Sequence, residues 1–172
     1  MAHPGRPRKC DPRVDRLRSD ISMRRYDTAK QTLKEFGIDA TDGEGRTALI
    51  NAVIEKKSDF VHWLVDNGAN INHQDRIGYS VLHFIGQEKL VGLARYFLDK
   101  GADPNLQDIH GNTPLWTAVF NEKLNTHNST VVKLLLKYGA NPDIVNKYDR
   151  TPRIMYQTFN KADISTVDIS DV

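Results

Sequence analysis

The sequence predicts an all-α fold of stacked helix-turn-helix units joined by β-hairpin-like turns. Three observations carry that expectation. A Gly-Ala-x-x-[Asn/Asp] frame recurs at Gly68 to Asn72, Gly101 to Asn105 and Gly139 to Asp143, and the step of about 33 residues between the first two is a period of repeat architectures. A second frame keeps the same step: Gly45-Arg46-Thr47-Ala48-Leu49, Gly78-Tyr79-Ser80-Val81-Leu82 and Gly111-Asn112-Thr113-Pro114-Leu115. Between the frames the apolar residues fall into shared columns, Leu49 with Leu82 and Leu115, Val61 with Ala94 and Val132, and Leu64 with Phe97 and Leu135.

Residues 1–10, "MAHPGRPRKC", read as a basic arm without fixed structure. No apolar stretch follows it, so it lacks the apolar segment of a secretory signal. The longest apolar runs, such as Leu134-Leu135-Leu136, are far shorter than the roughly 20 residues that a bilayer requires. The chain is therefore expected in the cytoplasm, away from membranes. Cys10 is the sole cysteine, which excludes an intrachain disulfide and leaves packing to hold the fold. In a Pro- and Arg-rich arm Cys10 is expected to have no fixed partner that would lower its pKa, so it is not read as a nucleophile.

A single domain is expected over residues 11–160. An N-terminal cap occupies about 11–41, where Val14, Leu17 and Ile21 share one helical face and Ala29, Leu33 and Phe36 continue the pattern up to Gly37. The arginines at 13, 16, 18, 24 and 25 lie on its outer face as solvated surface. Repeats follow at about 42–74, 75–107 and 108–145. In the first of them Leu49, Ala52 and Val53 suit a short helix. A break around Lys56 to Asp59 precedes a second helix with Val61, Trp63, Leu64 and Val65, and Gly68 stops it, because glycine takes the left-handed conformation without a Cβ clash. One helix pair cannot bury both of its apolar sides, so stacked neighbours complete the core.

The third repeat carries about five extra residues within "NEKLNTHNST", which lengthen the turn between its helices. Asn128-Ser129-Thr130 has the form of a glycosylation sequon but is read as a helix start capped by Ser129. In "NKYDRTPRIMY" Asp149 stands where glycine is expected and Arg153 occupies the core leucine column. Residues 146–160 are therefore expected to form a polar-faced C-terminal cap, followed by an acidic tail, 161–172, that forms a short final helix or frays.

These frames, with "DIHGNTPL" and "VVKLLLKYGANPD", resemble the ankyrin-repeat family, whose unit carries a Thr-Pro-Leu-His motif and a Gly-Ala-Asp turn. The motif histidine is kept as His83 and replaced by Ile50 and Trp116 in the neighbouring repeats. The resemblance implies that His83 bonds across a junction between repeats, and that the other junctions rely more on apolar contact.

The residue pattern holds no catalytic constellation. The six histidines include no pair at i, i+3 or i, i+4 that would set two metal ligands on one helix face. There is neither a G-x-x-x-x-G-K-[ST] phosphate loop nor a G-x-S-x-G elbow. The chain is read as a non-enzyme without metal or cofactor. The formal net charge of +2 selects no partner class. "PGRPRK" resembles the core of an AT-hook, which lays an extended arm in the minor groove, but Pro4 replaces the usual arginine and only one copy is present.

The resemblance implies protein binding on a concave face made of hairpin tips and first helices. Carried onto this chain residue by residue, that face comprises Glu44, Arg46, Ile54 and Glu55 in the first repeat and Arg76, Ile77, Tyr79, Gln87 and Glu88 in the second. Ile109, His110, Asn112, Phe120 and Asn121 follow in the third, then Lys147, Tyr148 and Arg150. Ile77, Tyr79, Ile109, Phe120 and Tyr148 form the apolar strip, rimmed by charge. The chain is also similar to small bacterial ankyrin proteins, which implies a narrower role as an immunity protein that neutralises a cognate toxin. The free chain is expected to be a monomer. The alternative is a transcription-linked or DNA-associated adaptor whose basic arm contacts nucleic acid.

Overall fold

The hydroxyl that ends each hairpin starts the next helix. Thr47 Oγ1 accepts from the Ile50 amide at 3.4 Å, Thr113 Oγ1 from Trp116 at 3.2 Å and Thr151 Oγ1 from Ile154 at 3.1 Å, each satisfying a first-turn N–H that the helix itself leaves without a partner. The structure, a computed structural model, describes residues 10–122 and 130–172. It divides into two compact units, Met1–Arg76 and Ile77–Val172.

In the first unit, α1 (Pro12–Asp15), α2 (Leu17–Ser22) and α3 (Tyr26–Phe36) precede the helix pair α4 (Ala48–Ile54) and α5 (Ser58–Asp66). Val14, Leu17, Ile21, Ala29 and Leu33 are buried as their spacing predicts. Phe36 is only half-buried and lies under the Arg13 guanidinium at 4.5 Å. Tyr26, Phe60 and Trp63 stack in sequence at 4.6 and 5.4 Å. Four of the outer-face arginines hold carboxylates: Arg13 with Glu35, Arg18 with Glu55, Arg24 with Asp59 and Arg25 with Asp20.

Cys10 has a fixed partner, but not one that lowers its pKa. Its thiol donates to the Thr41 carbonyl at 3.0 Å. Burial and, after it, the charge of Asp15 push the thiol pKa up, which disfavours a thiolate. Residues 1–9, with the AT-hook-like stretch, lie outside the described residues.

The second unit comprises α6 (Val81–Glu88), α7 (Val91–Asp99), α8 (Pro114–Glu122), α9 (Thr130–Lys137), α10 (Pro152–Asn160) and a 3-10 turn, Ile164–Thr166. Leu82, Leu115, Phe97 and Leu135 are at most 1% exposed, so the repeat columns form this unit's core. Gly78 and Gly101 both adopt positive φ, +79° and +83°. Asp149 takes the same left-handed turn at φ 54°, as its place in the glycine column requires. The expected Ser129 cap and residues 123–129 of the stretch that holds the insertion lie outside the described residues.

The acidic tail forms the 3-10 turn, with Ile164 buried at 2% exposure. It is held by side chains on both sides. Arg153 bonds Asp143 at 2.6 Å and Asp163 at 2.6 Å, which explains how a guanidinium is accommodated in a leucine column. The Lys133 ammonium, on an almost wholly buried side chain, meets Asp171 at 2.8 Å.

Candidate functional site

Three of the hairpin tips are each built on one short polar side chain. Asp42 Oδ1 accepts from the amides of Glu44 and Arg46, both at 2.9 Å. Asp108 Oδ1 accepts from His110 and Asn112, both at 2.8 Å, and Asn146 Oδ1 from Tyr148 at 2.9 Å and Arg150 at 3.0 Å. An Asp or Asn that bonds the backbone two residues on fixes a tight turn. The residues between these bonds are thereby held outward with little freedom to lose on binding.

Tips of successive repeats are also linked to one another. In the first unit the Arg76 amide donates to the Glu44 carbonyl at 3.1 Å; in the second, Ile109 donates to Ile77 at 3.0 Å and Lys147 to His110 at 2.9 Å. The histidine kept from the motif closes a junction. The Ser80 amide donates to His83 Nδ1 at 3.1 Å, so Nδ1 is the acceptor and Nε2 carries the proton that it gives to the Asn112 carbonyl at 3.1 Å.

Of the residues proposed to meet a partner, Glu44 and Arg76 are exposed in the first unit. Ile54 is half-buried, Glu55 is held by Arg18 at 2.8 Å, and Arg46 reaches the buried Asp75 at 3.3 Å. The second unit carries the apolar side chains. Ile77, Ile109 and Tyr148 are 44%, 48% and 64% exposed, and His110, Lys147 and Arg150 are exposed beside them. Tyr148 Oη lies 3.2 Å from His110 Nδ1, with the two rings stacked. Gln87, Glu88 and Phe120 face solvent on the first helices, whereas Asn121 is half-buried with its amide on the Thr117 carbonyl.

Two members of the proposed face behave otherwise than expected. Asn112 is buried, its amide donating to Asp108 Oδ2 at 3.1 Å and its oxygen accepting from Asn146 at 2.8 Å. It is a fixture of the turn and not a contact for a partner. Tyr79 is half-buried, stacked on His83 at 4.9 Å and edge-on to Phe84, so part of its surface is spent on its own repeat.

Sequence reasoning missed an apolar pocket of about 310 Å³ in the second unit, lined by Trp116, Arg150, Ile154, Met155, Thr158 and Phe159. The available signal was Trp116 and Phe120 at i, i+4 on α8. Among the described residues, no group of three or more His, Cys, Asp or Glu could hold a metal ion, and no helix is long and apolar enough to cross a membrane.

With this geometry, comparison with known proteins decides the family. The family described as Ankyrin repeats (3 copies) matches over residues 21–108, 59–146 and 82–164. The chain belongs to the ankyrin-repeat family. It is 35% identical over 101 residues to an ankyrin repeat protein of Acanthamoeba polyphaga mimivirus, covering 58% of this chain and 22% of that one. An ankyrin repeat protein of Rickettsia felis is 35% identical over 91 residues, 51% of this chain and 40% of its own length. The human Ankyrin repeat and SOCS box protein 6 is 39% identical over 105 residues, 59% and 25% of the two chains. The ankyrin chain described here thus spans two fifths or less of each of these relatives. Ankyrin repeats are protein-protein interaction modules and are generally non-enzymatic.

Proposed function

We propose that this ankyrin-repeat chain binds a partner protein through its hairpin tips and first helices, without catalysis. The observation that carries the reading is the set of exposed apolar side chains at three successive tips of the second unit, Ile77, Ile109 and Tyr148, held outward on turns tied by Asp108 and Asn146 and by tip-to-tip backbone bonds. Rigid, partly apolar side chains with cations beside them, here Lys147 and Arg150, are the anchors from which interfaces gain most of their affinity. Preformed turns lower the ordering entropy that association costs.

The narrower form of this proposal makes the chain a cytoplasmic, monomeric immunity protein whose partner is a cognate toxin encoded beside it; the bacterial relatives share its repeats. The test is a titration of that partner against wild type, an Ile109→Glu, Tyr148→Ala double variant and a chain lacking residues 1–10. The double variant should lose at least a hundredfold in affinity, and removal of the arm should have no effect. Unaltered affinity in the double variant, with loss on removing the arm, would replace this reading by the nucleic-acid adaptor.

A further inference from the structure

We propose that the pocket between α8 and α10 is a second docking element, which accepts a bulky apolar side chain from a partner's polypeptide segment that carries a carboxylate next to it. Its volume, about 310 Å³, lies at the lower limit of small-molecule sites and suits one large side chain. The Trp116 ring is half-buried and stacks on Phe120 at 5.1 Å with an interplanar angle of 10°. Phe120 is 38% exposed and carries the apolar platform past the pocket's edge. A chain segment lying across the pocket can use that extension.

The charge of the lining selects the flanking group. No acidic side chain lines the pocket, and Arg150 is its one charged member. Among the described residues no carboxylate pairs with the Arg150 guanidinium, whereas Arg153, three positions on, is clamped by Asp143 and Asp163. The Thr158 hydroxyl is committed to the Ile154 carbonyl at 2.8 Å. An apolar seat and a cation free of carboxylates together complement an apolar anchor beside a carboxylate.

This inference rests on the interaction reading above, but its test does not require the natural partner. Three acetylated, amidated pentapeptides are titrated against the full ¹⁵N-labelled chain: a central phenylalanine between aspartates, the same with alanine at the centre, and the same with lysines for aspartates. Backbone amide, indole and arginine side-chain signals are followed by NMR. The chain has two tryptophans, Trp63 and Trp116, so a Trp116→Phe variant assigns the indole signal. The phenylalanine-aspartate peptide should move the Trp116 indole and Arg150 Nε signals to saturation, and both control peptides should bind at least tenfold more weakly. Ile154→Asp, at a position 40% exposed, should abolish the shifts, Phe159→Ser should do the same, and Arg150→Gln should weaken them at least tenfold. Equal binding of the lysine peptide, persistence of the shifts in Ile154→Asp and Phe159→Ser, or absence of any shift would overturn the pocket. Shifts confined to Ile109 and Tyr148 would also remove it, while leaving the hairpin reading in place.

Discussion

The side-chain amide of Asn146 donates to the side-chain oxygen of Asn112 across 2.8 Å, and both residues are buried. Asn112 in turn donates to Asp108 Oδ2 at 3.1 Å, while Asp108 Oδ1 gathers two turn amides. Two hairpin turns are thereby locked to each other by polar groups that have left water. Removing one partner leaves the other's buried atoms unsatisfied, which commonly costs about 1–3 kcal/mol. Asn112→Ala should therefore lower stability by about that amount in denaturant unfolding. Asn112→Asp should cost more, because it also sets a carboxylate against Asp108. An unaltered unfolding midpoint in both would show that the ladder contributes nothing.

This ladder also marks where the sequence stopped being legible. The apolar columns and turn glycines were readable because each recurs at the repeat period, and Leu82, Leu115, Phe97 and Leu135 are buried accordingly. The family resemblance puts Asn112 on the partner face by its place in the motif. Its burial depends on Asn146, 34 residues on, a pairing that local pattern does not encode. The pocket was hidden for a related reason. Trp116 was visible as a replacement for the motif histidine, but its cavity also needs Ile154 and Phe159 from the divergent last unit, whose register the repeat frames define least.

Two glycines with the same backbone conformation should respond differently to one added methyl group. A Cβ at Gly101 meets nothing within 4 Å, whereas at Gly78 it would lie 2.7 Å from Asp108 Cα. Gly101→Ala then incurs only the left-handed penalty of about 1–2 kcal/mol. Gly101→Val should cost at least as much, with a β-branched residue in that conformation. Gly78→Ala adds a backbone clash and should be clearly the more destabilising of the two alanine variants. Thermal melts of both, compared with wild type, give the order, and equal midpoints would contradict it.

The tail should detach in acid. The Ser165 amide, ahead of the Ser165 hydroxyl, Gln157 and Arg153, holds the Asp163 carboxyl at about 2 instead of its usual 3.8, and the Arg153 hydrogen bond lowers Asp143 as well. For carboxyls depressed in the folded state, the stabilising contribution is whole above their ordinary value and is lost as pH falls through the folded one. Amide protection at Ile164–Thr166 should therefore be constant above about pH 4 and fall away toward pH 2. Asp163→Asn should lower the protection at neutral pH and flatten that dependence. A protection profile identical to wild type would show that the tail is held by Ile164 and Lys133 alone.

Tyr79 and Tyr148 were equivalent in the sequence, each an aromatic residue on the proposed apolar strip, and the structure separates them. Tyr79 stacks on His83 at 4.9 Å, and that imidazole links Ser80 to the Asn112 carbonyl. An aromatic pair of this kind contributes about 0.5–1.5 kcal/mol beyond its buried area, so Tyr79→Ala should lower the melting temperature along with any effect on binding. Tyr148 is 64% exposed, and Tyr148→Ala should leave stability within about 0.5 kcal/mol. If Tyr148 is an interface anchor, its truncation costs about 2 kcal/mol of binding, roughly thirtyfold in affinity. Melts and partner titrations of the two single variants therefore distinguish a side chain that serves the fold from one that serves the interface. Loss of stability without loss of affinity in Tyr148→Ala would assign that ring to its contact with His110, and would remove it from the proposed face.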